Sequence, residues 1–401
     1  MRDRVVKAQK EPSLWILLLL VSFASVSAVL FTPALPELSA KLNITSSEAQ
    51  FTITIFLLGY SIGNLPYGPL SNRFGRKRAL YAGIGLALFG AVLTALVNVY
   101  QQFWLLILGR FLLALGSSAG ITVAFTMLGD VYQEKALAQK IAFFMLMFAV
   151  APNLSIVIGG FLTTRFGWVS CFYFLIAYSV FLLIATKFLP ETLKVKDRIP
   201  LDLEKIKEGY LPRLRNTKLL VASALMGGAA SATYLFASEA PFIGIKQLGL
   251  RADTYGLLNF IPPIGLVTGS ILSHFFAGKK EQLTMLLAGI TVSFVSSLAM
   301  LFLFLFGNIS VWSLFLPVPF IYVGVSLVLS NASALALTHA RNKANGSAMM
   351  SFINLGICAF VLLGVETVTS HQRLLMPATF SCVFFIMFFL RKYLYKIIQE
   401  R

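Results

Sequence analysis

Twelve times along this chain about twenty residues pass with almost no charged side chain, a pattern that water-soluble folds of this length do not use. A helix crossing the ~30 Å hydrocarbon layer of a bilayer needs about twenty apolar residues at ~1.5 Å per residue. Inside lipid every backbone polar group must be satisfied within the segment, so each stretch reads as a membrane-spanning helix. The windows fall near 14–36, 49–70, 79–98, 103–128, 141–163, 170–189, 217–242, 254–277, 282–306, 311–337, 346–369 and 375–395. Composition agrees: 58% of the 401 residues are hydrophobic and 12% are charged, against about 25% charged in an ordinary soluble domain. The expected fold class is an all-α membrane protein with twelve transmembrane helices in two six-helix bundles.

The net charge of +17 could suggest nucleic acid, but phosphate binding needs basic side chains gathered on one water-facing surface. Here they sit between apolar stretches, so no nucleic-acid partner is expected. Alternate the connections between two sides of a bilayer, and only Lys41, Arg165, Lys246, Arg251 and Arg373 fall on one side, with Arg110 inside the fourth stretch; the other 27 of the 33 Lys and Arg share the side of both termini. Cytoplasmic loops retain positive charge, so both termini are expected in the cytoplasm, in a bacterial inner membrane. The first stretch follows Arg2, Arg4, Lys7 and Lys10 and contains Ala24-Ser-Val-Ser-Ala28, which invites comparison with a cleaved signal peptide. It runs on to Pro33 and eleven further stretches follow, so it reads as a retained helix.

One long polar stretch, 194–216, carries Asp202, Glu204, Lys205, Lys207 and Glu208 at helix-compatible spacing. It divides the chain into an N-terminal bundle, 1–193, a cytoplasmic linker, 194–216, and a C-terminal bundle, 217–401. Two halves of equal span number suit a carrier whose bundles rock about a site near the midplane. No strong residue-level repeat links them. No nucleotide-binding G-x-x-x-x-G-K-[ST] string occurs, and energy must come from gradients if from anything. Cys171, Cys358 and Cys382 lie far apart without metal-ligand spacing and read as small buried apolar residues. No cofactor, metal or enzymatic activity is expected.

Between the second and third stretches stands Gly68-Pro-Leu-Ser-Asn-Arg-Phe-Gly-Arg-Lys-Arg78. Its two glycines are expected to make a tight turn, and its Arg/Lys cluster to anchor the loop at a membrane face. The string resembles the G-x-L-x-D-R-x-G-R-[KR] signature of the major facilitator superfamily. Arg110-Phe-Leu-Leu-Ala-Leu-Gly116 is similar to that family's R-x-x-Q-G-x-G motif, and Ala151-Pro-Asn-Leu-Ser-Ile-Val-Ile-Gly-Gly160 to its antiporter motif. Pro33-Ala-Leu-Pro36, Gly167-Trp168, Leu189-Pro-Glu-Thr-Leu193 and Ala240-Pro-Phe242 narrow the resemblance to the Bcr/CflA drug-efflux branch. The resemblance implies a cytoplasmic gate of Gly68, Asn72, Arg73, Gly75, Arg76 and Asp130, with Arg76 and Asp130 paired.

The departures carry information too. Asn72 stands where the branch has Asp, and keeps hydrogen-bonding capacity without the charge. Val29 stands where the branch places an acid, and Phe125 where it commonly carries an Arg; losing both together is coherent, because either alone is costly in a low-dielectric cavity. Leu113 and Ile156 replace a Gln and a second proline.

Proton-driven export needs a carboxyl or imidazole that reaches the pathway. Glu37, Glu239 and Glu366 fall near the outer helix ends and Asp130 near an inner one. Glu239 is the best placed, in the apolar run Tyr234-Leu-Phe-Ala-Ser-Glu-Ala-Pro; the competing reading is an interfacial carboxylate reaching headgroups. His274, His339 and His371 fall at helix ends and are expected to be solvated or interfacial. Arg110 must meet a carboxylate, an anionic substrate or the backbone carbonyls of a neighbouring helix. Tyr60, Asn64, Thr122, Asn153, Tyr234, Asn331 and Asn354 either line the pathway or join helices.

The expected function is secondary transport, exporting lipophilic drugs or toxic metabolites in exchange for protons. Two alternatives stay open: export of an anion such as a carboxylate siderophore or organic acid through Arg110, and a non-transporting membrane sensor or scaffold. The expected partners are a small-molecule substrate, protons and the lipid bilayer, and the expected state is a monomer.

Overall fold

The computed structural model describes residues 11–399 apart from 133, 196–197, 200, 203, 205–210, 308, 339–342 and 369–373. Lys205, Lys207, Glu208, His339, His371 and the basic residues before Glu11 therefore lie outside the described residues. The main helices are α1 (Leu14–Val29), α2 (Ser46–Gly63), α3 (Arg76–Tyr100), α4 (Phe103–Val131), α5 (Glu134–Phe166), α6 (Ser170–Thr186), α7 (Thr217–Pro241), α8 (Pro262–Phe276), α9 (Gln282–Phe306), α10 (Val318–Thr338), α11 (Lys343–Glu366) and α12 (Leu375–Gln399). Nine spans among the described residues are long and apolar enough to cross a membrane; α2, α5 and the 17-residue α6 supply the other crossings of this all-α membrane protein.

Several expected helices are broken where proline intervenes. The first stretch stops at Val29, turns through the 3-10 segment Thr32–Ala34 and resumes as Leu35–Lys41, because Pro33 has no N–H to continue the ladder. The second ends at Gly63 and restarts after Pro66 as Tyr67–Phe74. The eighth is a turn of helix, Ala252–Leu258, followed by α8 from Pro262. The seventh winds on as a π-helix, Phe242–Gln247. Conversely α5 begins at Glu134 and ends at Phe166, beyond the 141–163 window at both ends, since a count of apolar residues cannot see helical turns that project into water. Local chemistry fixes other starts. Thr45 and Glu48 form a reciprocal capping box at α2, with Glu48 N donating to Thr45 Oγ1 at 3.1 Å and Thr45 N to Glu48 Oε2 at 2.7 Å. Asn216 caps α7 by accepting from Leu219 N.

α1 to α6 pack chiefly among themselves, as do α7 to α12, with α3 on α4 and α9 on α10 as intimate pairs in their respective halves. Both pairs cross at glycine. A Cβ at Gly116 would stand 2.4 Å from the Gly83 carbonyl oxygen, and one at Gly324 would stand 2.2 Å from that of Gly289. The two pairs thus share a close crossing at glycine, the packing mode helices use in lipid. Large apolar side chains such as Trp104, Phe181, Phe302 and Phe389 remain exposed on the outer surface, as a lipid-facing belt requires. Cys171 and Cys358 are buried as expected, whereas Cys382 is exposed on α12, a correction that follows from the rotation of that helix toward its apolar outer face.

Candidate functional site

Two polar clusters and one sealed cation organise the molecule. The first cluster lies at the basic end, the end that carries the Gly68–Arg78 segment. Gly75 alone makes the turn there, at φ +102, where a Cβ would also sit 2.6 Å from Glu191 Oε2. Gly68 is helical with open space around it, contrary to the expectation of a two-glycine turn. Arg76, which is 4% exposed, donates through Nε to Asp130 Oδ2 at 2.9 Å and through Nη2 to Oδ1 at 3.1 Å. Its Nη1 reaches Asn72 Oδ1 at 2.6 Å and Ser71 Oγ at 3.1 Å. Asn72 therefore still accepts from Arg76, as a neutral partner in a network with one formal pair. Arg73 is exposed and stands apart.

The sequence reading passed over two members of this cluster. Glu191 Oε1 accepts from Arg76 N at 2.9 Å and Oε2 from Lys77 N at 3.2 Å, so its carboxylate caps the start of α3. Thr192 Oγ1 donates to Asp130 Oδ2 at 2.6 Å. Both belong to the Leu189–Leu193 string, which was legible as a motif but not as a cap. The linker also touches this cluster, Ile199 N donating to the Asn72 carbonyl at 3.2 Å.

Arg110, inside α4 and wholly buried, meets no carboxylate among the described residues. Nη1 and Nη2 donate to the carbonyls of Ser27 and Ala28 at 2.6 and 3.0 Å, and Nε to Thr52 O at 3.3 Å. Ser27 and Ala28 belong to the last turn of α1, whose carbonyls lose their helical partners at the Thr32-Pro33 break. The Phe31 and Phe56 rings lie 4.2 and 4.4 Å from the guanidinium carbon. Arg110 is thus a buried cap on a helix C-terminus, stacked on two aromatic faces and tying α1, α2 and α4 together.

The second cluster lies at the far end, opposite the basic one. There the halves meet: α2 packs on α11, and α5 on the Ala252–Leu258 turn. A Cβ on Gly160 would stand 2.3 Å from the Ala252 carbonyl oxygen, and Asp253 N donates to Thr164 Oγ1 at 3.0 Å. Thr54 Oγ1 of α2 donates to Glu366 Oε1 of α11 at 2.5 Å, and Gln50 of α2 lies within hydrogen-bonding reach of Glu239 of α7. Ser61 Oγ donates to the Phe352 carbonyl at 2.7 Å, near mid-depth. Gln50 and Thr54 lie on α2 at helical spacing, a signal the sequence held but which means nothing until the opposing acids are known.

The other expected residues divide. Tyr60, 2% exposed, and Tyr234 approach each other and Cys358 on the seam between the halves. Asn354, on α11, lies against α7 beside Gly227. Asn64 and Thr122 instead join α2 to α4, Thr122 Oγ1 donating to Asn64 Oδ1 at 3.4 Å. Asn331 Nδ2 donates to Ser273 Oγ at 3.2 Å and joins α10 to α8. Asn153 is half-buried on α5. Val29 is buried, and Phe125 is half-buried with its ring edge-on to Phe144 at 5.0 Å, so both departures are packed as hydrocarbon.

Comparison with known proteins bears on the family and the fold. The chain is 28% identical over 319 residues to a bicyclomycin resistance protein homolog of Haemophilus influenzae, covering 77% of each, and 26% identical over 336 residues to multidrug resistance protein D of Escherichia coli, covering 83% and 82%. Among solved structures, a D-xylose-proton symporter superposes with a TM-score of 0.75 at 15% identity, covering 93% of this chain and 96% of that one. The xylose transporter of E. coli in a partially occluded inward-open conformation gives 0.73 at 13%, covering 96% of each. A family model matching residues 17–365, over an arrangement of twelve helices, places the chain in the Major Facilitator Superfamily, as a transporter and not an enzyme.

Proposed function

We propose that this protein is a proton-coupled exporter of lipophilic, uncharged small molecules, working from the cytoplasmic face of a bacterial inner membrane. Its basic end and both termini lie in the cytoplasm, because the positive loops gather there. The halves 1–193 and 217–401 rock about the seam, joined by the linker 194–216.

One observation carries the reading: the interactions seen to cross between the halves, Gln50–Glu239, Thr54–Glu366, Thr164–Asp253 and Ser61–Phe352, run from the far end to mid-depth, with two acids among them. That is the arrangement of a far gate that must break for substrate to leave and whose acids meet outside water when it does. Glu239 is the proton-carrying group. The seam beyond it offers Tyr60, Tyr234 and Asn354, aromatic and neutral polar surface suited to apolar solutes with hydrogen-bonding groups. The anion reading has lost its cation, since all three kinds of donor nitrogen on Arg110 are engaged by carbonyls.

Proteoliposomes test this directly. With the interior acidic, a neutral lipophilic dye should be taken up against its gradient by inverted protein, and Glu239→Gln should abolish the proton-driven part. Uptake indifferent to the pH gradient, or driven only for organic anions, would overturn the proposal.

A further inference from the structure

Glu366, at the end of α11, has two oxygens in unlike situations. Oε1 is bonded by Thr54, whereas Oε2 is buried with no hydrogen-bond partner. Glu239 lies within electrostatic reach, on a different helix. The two acids come from α11 and α7 of one half, while the groups that hold them, Gln50 and Thr54, are four residues apart on a single helix of the other and share one face.

Nothing charged compensates this pair among the described residues. On the short helix Leu35–Lys41, which packs against α7, Lys41 is exposed and Glu37 abuts Gly167. Lys246 of the π-helix is exposed, and Glu48 of α2 is engaged in its capping box. Arg110 faces the Thr52 carbonyl and the end of α1. Tyr60, Tyr234 and Cys358 follow along the seam and carry no charge at neutral pH.

We propose that Glu239 and Glu366 form a paired carboxyl site for the coupling proton, and that α2 closes the far gate only over the neutral form. Two carboxylates within electrostatic reach of each other, with no cation beside them among the described residues, would repel each other and lose part of their water as α2 closes over them. A proton taken from outside water neutralises each group while the gate is open, and turns the orphaned Oε2 from an anionic acceptor into a hydroxyl. Loss of the protons to the other side restores both carboxylates and favours reopening. The proposal rests on the antiport reading and adds to it a second acid, Glu366, and a latch, Thr54 with Gln50.

Nitroxide labels at Lys41→Cys and Arg251→Cys, in a background with exposed Cys382→Ser, report the width of the far end in lipid nanodiscs. Raising the pH from about 5 to about 9 should move the wild-type distance distribution from short to long. Glu239→Gln and Glu366→Gln should each raise the midpoint by about one pH unit or more, a tenfold change in proton concentration, and the double variant should stay short throughout. Thr54→Ala should lower the midpoint. A double variant that follows the wild-type profile, or the same opening produced by exchanging sodium for choline at fixed pH, overturns the proton pair. Dye uptake indifferent to a pH gradient, alongside the expected distance profiles, overturns the antiport reading alone.

Discussion

At the scale of single residues, the chain shows how a buried charge is made tolerable in lipid. Arg110 makes three carbonyl contacts, two of them to Ser27 and Ala28, which the Thr32-Pro33 break leaves without helical partners, and the third to Thr52 on α2, so the break and the cation answer each other. A lysine could supply charge there but not the planar fork that spans two helices or stacks between Phe31 and Phe56. Arg110→Lys is therefore expected to destabilise the protein by about 2 kcal/mol, read as a lower melting temperature in detergent. Arg110→Ala should reduce folded yield, not alter which solutes are carried; a well-folded Arg110→Ala protein with changed selectivity would contradict the capping role. At the basic end, Gly75→Ala meets both an unfavourable φ and the Glu191 carboxylate, and should cost about 1–3 kcal/mol. Glu191→Gln, which keeps the shape and loses the charge at the start of α3, should cost less than about 1 kcal/mol. The order of the two effects in thermal melts checks whether the turn or the cap governs this corner.

At the scale of elements, hydrophobicity along the chain is enough to find the helices because lipid imposes one solution on every crossing segment. Their number and order and the signature between the second and third helices were legible. What was not legible is where a crossing bends: Pro33, Pro66 and Pro262 interrupt helices whose apolar composition runs straight on, and composition is blind to a missing N–H. The site divides in the same way. Glu239 stood out because it is an acid in an apolar run, whereas Gln50 and Thr54 look like ordinary residues near a helix start until the fold sets α7 and α11 against them. Asn64, Thr122 and Asn331 join neighbouring helices, since lone polar side chains in lipid find nearby partners first. The α5 crossing adds its own test. Gly160 lies so near the Ala252 carbonyl that Gly160→Leu should hold the far end apart while α5 still folds. A Thr164→Cys reporter beside it should then react faster with an impermeant thiol reagent, and export should fall at least tenfold. Unchanged labelling would mean that this crossing does not set the closed state.

At the scale of the whole molecule, the two clusters stand at opposite ends of the helices, and both are assembled in this structure. The Arg76–Asp130 pair, with Asn72, Glu191 and Thr192 around it, lies within the first half and the chain that leaves it, while the far cluster spans both halves. Breaking the first should loosen the basic end, and breaking the second should free the contacts that join α2 to α7 and α11. Asp130→Asn removes the charge opposite a guanidinium that is 4% exposed, and leaving such a cation uncompensated typically costs about 3–5 kcal/mol. Because that cost falls on conformations in which the basic cluster is assembled, Asp130→Asn should shift the balance between gates and slow export. Asn72→Asp, which gives Arg76 a second carboxylate, should partly restore it in the double variant. Transport rates of the two single variants and the double, measured in the same vesicles, form a cycle. A coupling of about 1 kcal/mol or more would show that one guanidinium is shared by both positions during the transport cycle, and strict additivity would show that Asn72 is a bystander at the gate.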